Sequence, residues 1–73
     1  MKIKTNNANA VVSALMRALH ANAPGAIVLA ITHNLSGEPT LIGQSKDNSR
    51  LIRCTFNRAT ESVIVETFAS DQI

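Results

Sequence analysis

Only one stretch of this chain has helical periodicity, and almost everything around it reads as strand, so a single helix must cover whatever sheet the strands build. Val11, Val12, Leu15, Met16 and Leu19 recur at intervals of three and four, while Asn9, Ser13, Arg17 and His20 fall on the opposite side. That is the pattern of an amphipathic helix turning one stripe to a core. It predicts a helix from about Ala8 to Asn22 whose core face is Val11, Val12, Leu15, Met16 and Leu19. Thr5, Asn6 or Asn7 can cap it by accepting a backbone N–H bond. Pro24-Gly25 ends it, because proline disfavours helical geometry at Ala23 and glycine frees the turn.

The remaining segments alternate or run apolar over strand lengths, separated by turn clusters. Met1–Thr5 alternates apolar and charged, with Lys2 and Lys4 suited to a sheet edge. Residues 26–32, Ala-Ile-Val-Leu-Ala-Ile-Thr, are apolar at consecutive positions, which predicts a central strand covered on both faces. Residues 34–39 form a turn, followed by a strand over 40–45 in which Gly43 marks a bulge. Lys46-Asp47-Asn48-Ser49 turns again. Residues 50–57 place Ile52, Cys54 and Phe56 on one face and Leu51, Arg53 and Thr55 on the other. Residues 58–61 turn, residues 62–68 form the last strand, and 69–73 are a loose end. The expectation is a single α+β domain over residues 1–73. Its order is β-α-β-β-β-β, with a mostly antiparallel sheet and one helix packed on one face.

One helix cannot cover five strands on both sides. Several strands nevertheless carry apolar residues on both faces: Ile27, Leu29 and Ile31 against Val28 and Ala30, and Val63 and Val65 against Ile64 and Phe68. Length sharpens the problem. In a chain of 73 residues one core seldom yields more than ~3–5 kcal/mol, and natural chains of this size often add a staple. A disulfide within the chain is excluded, since Cys54 is alone. A homodimer or a stable complex with a protein partner, formed through the open sheet face, is the staple that remains.

The chemistry-bearing residues form no recognisable constellation. His20 lies in the last helical turn and His33 ends a strand. Neither is paired with Cys54 or with each other at a metal-ligand spacing, so no metal and no cofactor is expected. Cys54 alternates with Ile52 and Phe56 and reads as a core residue rather than a nucleophile. Glu38, Asp47, Glu61 and Asp71 fall in turns or the tail, and Glu66 stands by itself on a strand. No glycine pattern cradles a phosphate, and no nucleophile elbow is present. Asn34-Leu35-Ser36 fits a glycosylation acceptor, but no convincing secretory signal accompanies it. Ala21-Asn22-Ala23 has the form of a cleavage site, yet Arg17 and His20 interrupt the apolar segment before it. No run approaches the ~20 apolar residues of a membrane span. A cytoplasmic location is therefore expected, with neither a membrane nor a small-molecule substrate as partner.

Charge offers one feature. Lys and Arg number seven against five Asp and Glu, a net charge of +2, and charged residues make up only 16% of the chain. Lys46, Arg50, Arg53 and Arg58 lie within thirteen positions with only Asp47 against them. These four are the candidate binding residues. They suit a polar rim around a protein interface, where Arg is enriched. They also suit phosphate contacts, the alternative, although Trp and Tyr are absent and single-strand readers usually supply aromatic platforms. The sequence thus predicts a small non-enzymatic binding protein acting through an open sheet face. An accessory or inhibitory regulator of the kind phages and mobile elements encode fits that description. A nucleic-acid-binding dimer using a basic hairpin is the runner-up.

Overall fold

The helical stripe and the strand segments assemble into one helix laid on a four-stranded sheet. The computed structural model of the chain describes residues 8–69. The elements are α1 (Ala8–Asn22), β1 (Ile27–His33), β2 (Pro39–Gln44), β3 (Arg50–Asn57) and β4 (Ser62–Ala69). The strands form an antiparallel meander in the order β1-β2-β3-β4. The expected α+β class and meander are therefore present. The strand expected over Met1–Thr5, the caps Thr5, Asn6 and Asn7, and residues 70–73 lie outside the described residues. Residue 69, expected in the tail, instead closes β4, where Ala69 pairs with Arg50.

The buried side of α1 is narrower than the sequence suggested. Val11, Leu15 and Leu19 are buried, each four residues and slightly more than one turn from the last. Val12 is half-buried and Met16 is exposed. The expectation that Met16 faces the core is thus corrected. At about 100° per residue Met16 lies off the stripe's margin, and Ala18 and Ala23 pack against the core instead. The helix stops where expected. The Ala23 N–H donates to the Leu19 carbonyl at 2.8 Å, the Ala26 N–H to the Ala23 carbonyl at 3.0 Å, and Gly25 takes a left-handed φ of 83°.

Under the helix lie Leu41 on β2 and Ile52, Cys54 and Phe56 on β3, all buried, flanked by Val63 and Val65 of β4. The helix rests mainly on β2, β3 and β4. Gly43 makes this possible. A Cβ there would come within 2.7 Å of Leu19 Cδ1 and 3.1 Å of the Ile27 carbonyl oxygen, so only glycine lets the end of the helix settle on β2. The bulge expected at Gly43 lies on the neighbouring strand. The β1–β2 register shifts between Val28 and Ala30, which leaves Leu29 as the extra residue.

The largest departure concerns β1. Expected as a central strand covered on both faces, it is an edge of the described sheet, and all seven of its residues are exposed. The physical reason is width. Strands stand ~4.8 Å apart and a helix is ~10–12 Å across, so one helix covers two or three strands. Seated over β2–β4, it leaves β1 bare.

Candidate interaction surface

Exposed apolar surface is concentrated on β1. Ile27 is 56%, Leu29 51% and Ile31 53% exposed, with Val28 also open. The strand has no charged residue before His33. Among the described residues no strand lies beyond its outer edge, and the direction of its backbone groups follows from the turn after it. The Asn34 N–H donates to the Glu38 carbonyl at 3.0 Å, and the register continues as His33↔Pro39, Thr32↔Thr40 and Ile31↔Leu41. In an antiparallel ladder hydrogen-bonded and non-bonded pairs alternate. Thr32 therefore bonds inward to Thr40, and the N–H and C=O of Ile31 and His33 point outward. Pro39, which has no N–H to give, sits at a non-bonded position, as this alternation requires.

The hairpin that follows is rigid and presents one apolar side chain. Asn34 Oδ1 accepts from the N–H groups of Ser36 at 3.1 Å and Glu38 at 2.8 Å, while its amide donates to Glu38 Oε1 at 3.1 Å. Gly37 closes the turn with φ 79°. Leu35 at the tip is fully exposed. Glu38 Oε2 also accepts from the Arg58 N–H at 3.3 Å, which ties this hairpin to the β3–β4 turn.

The face away from the helix is less aliphatic than expected. Its rows follow the registers Ala30–Ile42–Arg53–Glu66 and Thr32–Thr40–Thr55–Ile64. At its centre Arg53 Nε donates to Glu66 Oε1 at 3.0 Å, with Nη2 2.9 Å from the same oxygen. The guanidinium lies 5.1 Å from the centre of the Phe68 ring, within the range of a cation–π contact. Thr40 and Thr55 are buried beside them. An open depression of about 480 Å³ between this centre and the β1–β2 hairpin is lined in part by Leu35, Glu38, Arg53 and Ile64.

The four basic residues do not converge. Lys46 and Arg50 flank the β2–β3 turn, Arg53 is held by Glu66, and Arg58 lies beyond the far end of β3. At ~3.3 Å per residue the strand separates Arg50 from Arg58 by roughly 26 Å. The near end also carries Asp47. Its Oδ1 accepts from Ser49 Oγ at 2.7 Å, Ser45 Oγ at 2.8 Å and the Ser49 N–H at 3.0 Å. These bonds, the Ser49 and Ser45 hydroxyls foremost, hold its carboxyl well below the usual range, at about 2.

Cys54 is buried beneath the helix, and desolvation pushes its thiol pKa up, the reverse of what a nucleophile needs. His20 and His33 are exposed on the helix and at the end of β1. Among the described residues no group of three or more His, Cys, Asp and Glu side chains is placed to hold a metal. No described helix is long and apolar enough to cross a membrane.

The sequence reading missed β1 as the exposed strand, and with it Leu35. The signal for Leu35 was present: a leucine inside the turn cluster Asn34–Pro39 has no core to enter. Over the described residues the fold is a one-helix antiparallel β-meander of the α+β class. No protein-family model, curated protein or solved structure matches the chain.

Proposed function

We propose that this chain is a small non-enzymatic protein-binding domain that docks through β1, with Leu35 and the adjoining open face at the margin of the contact. The observation that carries the reading is the state of β1: seven residues, all exposed, uncharged before His33 and, among the described residues, at the edge of the sheet. Edge strands of this kind are ready templates for another chain, and isolated proteins normally blunt them with charge, proline or cover. Main-chain hydrogen bonds supply affinity in such pairings, and the side chains supply selection. The biological role in this reading is occupancy, as an accessory or inhibitory regulator, with no chemistry on the bound partner.

Nucleic-acid binding has weaker support, because Lys46, Arg50, Arg53 and Arg58 are spread along the sheet and Arg53 is neutralised by Glu66. The experiment compares the wild type with Ile31→Lys and with Arg50→Ala/Arg53→Ala, reading protein capture from the source cells and retention on heparin. The expected result is a protein partner, or the chain itself, lost with Ile31→Lys and kept with the double arginine variant. Salt-sensitive heparin retention lost with the arginines, and capture unchanged by Ile31→Lys, would contradict it.

A further inference from the structure

We propose that the bare helix-side face of β1, together with the flank of α1 beside it, is a docking groove for an acidic amphipathic helix supplied from outside residues 1–73. The inference rests on the docking role proposed for β1 and names the form its partner takes. On the sheet, Val28 and Ile31 share the helix side with Gly43 and Leu41, their partners in the register, and both are exposed. On the helix, Val12 and Met16 each follow a buried residue, Val11 or Leu15, by one position and about 100° of rotation. Handedness turns them towards β1. α1 ends with Leu19 against Gly43, opposite Val28 near the start of β1, so the helix descends the sheet antiparallel to that strand. Seen from the helix side with β1 running upward, an L-residue facing the viewer has its N–H and C=O on the right. Those of Ile31 point outward, so β2, β3 and β4 lie to the left of β1. In a right-handed helix descending over them, the flank one position past the core stripe lies on the right, beside β1. The opposite flank, which carries Ala18, packs against the core instead.

The spacing of the layers selects a helix. α1 rests on β2, β3 and β4 and is centred on β3. β1 lies two strands away, ~9.6 Å at ~4.8 Å per strand. Packed helices stand ~8–10 Å apart, so a helix seated on β1 meets α1 at packing distance and covers Met16 and Ile31 together. The seven residues of β1 measure ~23 Å, the length of roughly 15 residues of helix. Residues 1–7 and 70–73 are each too short to supply it. Charge narrows the partner further. The ionisable groups bordering the groove are His20 on α1, His33 at the end of β1, and Lys46, whose stem lies against Gly25 at the foot of the strand. All three are basic. Asp47 beside Lys46 is held by Ser45 and Ser49, and Glu38 and Glu66 line the opposite face. The complementary helix carries an apolar stripe flanked by Asp or Glu. Seated there, it leaves the outer edge of β1 free.

The test is selection from a displayed library of amphipathic helices, ~18 residues long, on the immobilised full chain. Recovered peptides are synthesised and titrated by fluorescence anisotropy against the wild type, Met16→Lys and Ile64→Lys. Both variants put a lysine at an exposed position, the first in the groove and the second on the opposite face. Circular dichroism confirms that both remain folded. The expected result is a set of peptides with acidic flanks whose affinity falls at least ~10-fold with Met16→Lys and is unchanged with Ile64→Lys. A proline at the centre of each peptide should abolish binding, since it breaks the helix.

A library that yields no helix preferring the wild type to Met16→Lys overturns the groove. Peptides that keep their affinity with the central proline overturn it as well, because they bind extended. Protein capture from the source cells judges the docking reading separately. Capture lost with Ile31→Lys and untouched by Met16→Lys overturns the groove and leaves docking through β1 standing. Capture untouched by Ile31→Lys overturns both.

Discussion

The two outer strands of the described sheet are built from similar residues and end in different states. β1 reads Ile-Val-Leu-Ala-Ile-Thr-His and β4 reads Ser-Val-Ile-Val-Glu-Thr-Phe-Ala. Along β4, Val63 and Val65 pack against the core, and Glu66 pairs with Arg53 on the other face. Along β1 every side chain is open. The difference comes from where the helix lies. Leu19 seated over Gly43 draws α1 across β2, β3 and β4, so β4 gains a cover and β1 does not. An apolar run therefore reports that a strand suits cover on both sides without saying which molecule supplies it.

The largest expected effect bears on the covered side. Leu19→Ala should cost about 2–5 kcal/mol in chemical denaturation, since Leu19 is fully buried with its methyls against Gly43 of β2. Leu29→Ala on β1, measured at high dilution, should cost less than about 1 kcal/mol. Equal losses at the two positions would erase the distinction between the strands. Next in size is Gly43→Ala. The added methyl meets Leu19 and the Ile27 carbonyl and should cost roughly 1–3 kcal/mol as overpacking. A neutral result in the same measurement would mean that the helix does not depend on this close approach.

Much of this was legible in the sequence, and the misses share one cause. The limits of α1, the four strands of the meander and the core residues Ile52, Cys54 and Phe56 follow from periodicity and turn residues, which are local. Arg53 was correctly placed on the face away from the helix by alternation. The position of β1 in the sheet was not legible, because Ile27–Thr32 carries the pattern of a strand buried inside one molecule. Met16 was misplaced because spacing alone does not reveal how narrow a stripe the sheet accepts. Gly43 was read as a bulge because the neighbour that requires glycine there, Leu19, is distant in sequence. The dispersal of Lys46, Arg50, Arg53 and Arg58 was hidden because closeness in sequence along a strand becomes distance in space.

Two smaller effects sharpen the comparison on the polar side. Glu66→Ala removes the partner of Arg53 on a half-exposed surface and should cost about 0.2–1 kcal/mol, less at high salt. Comparing denaturation midpoints at low and high salt checks this, and a salt-independent loss would point to packing against Phe68 instead. The smallest effect belongs to Asp47. Its carboxyl titrates lower in the folded chain, at about 2, than in an unfolded one at ~3.9. Its contribution is complete above the unfolded value and is lost as pH falls from about 4 through 2. Over that window the wild type should lose more urea resistance than Asp47→Asn, and parallel curves would remove Asp47 from the account.

The most direct measurement is amide hydrogen exchange of the full chain alone at low concentration and with its β1 partner, another protein or a second copy, in excess. The account predicts that the outward-pointing amides of Ile31 and His33 are protected with the partner and lose that protection without it. The inward amide of Thr32 and the amides of β3 should stay slow throughout. Fast exchange at Ile31 and His33 at every concentration, with no partner able to slow it, would contradict the account.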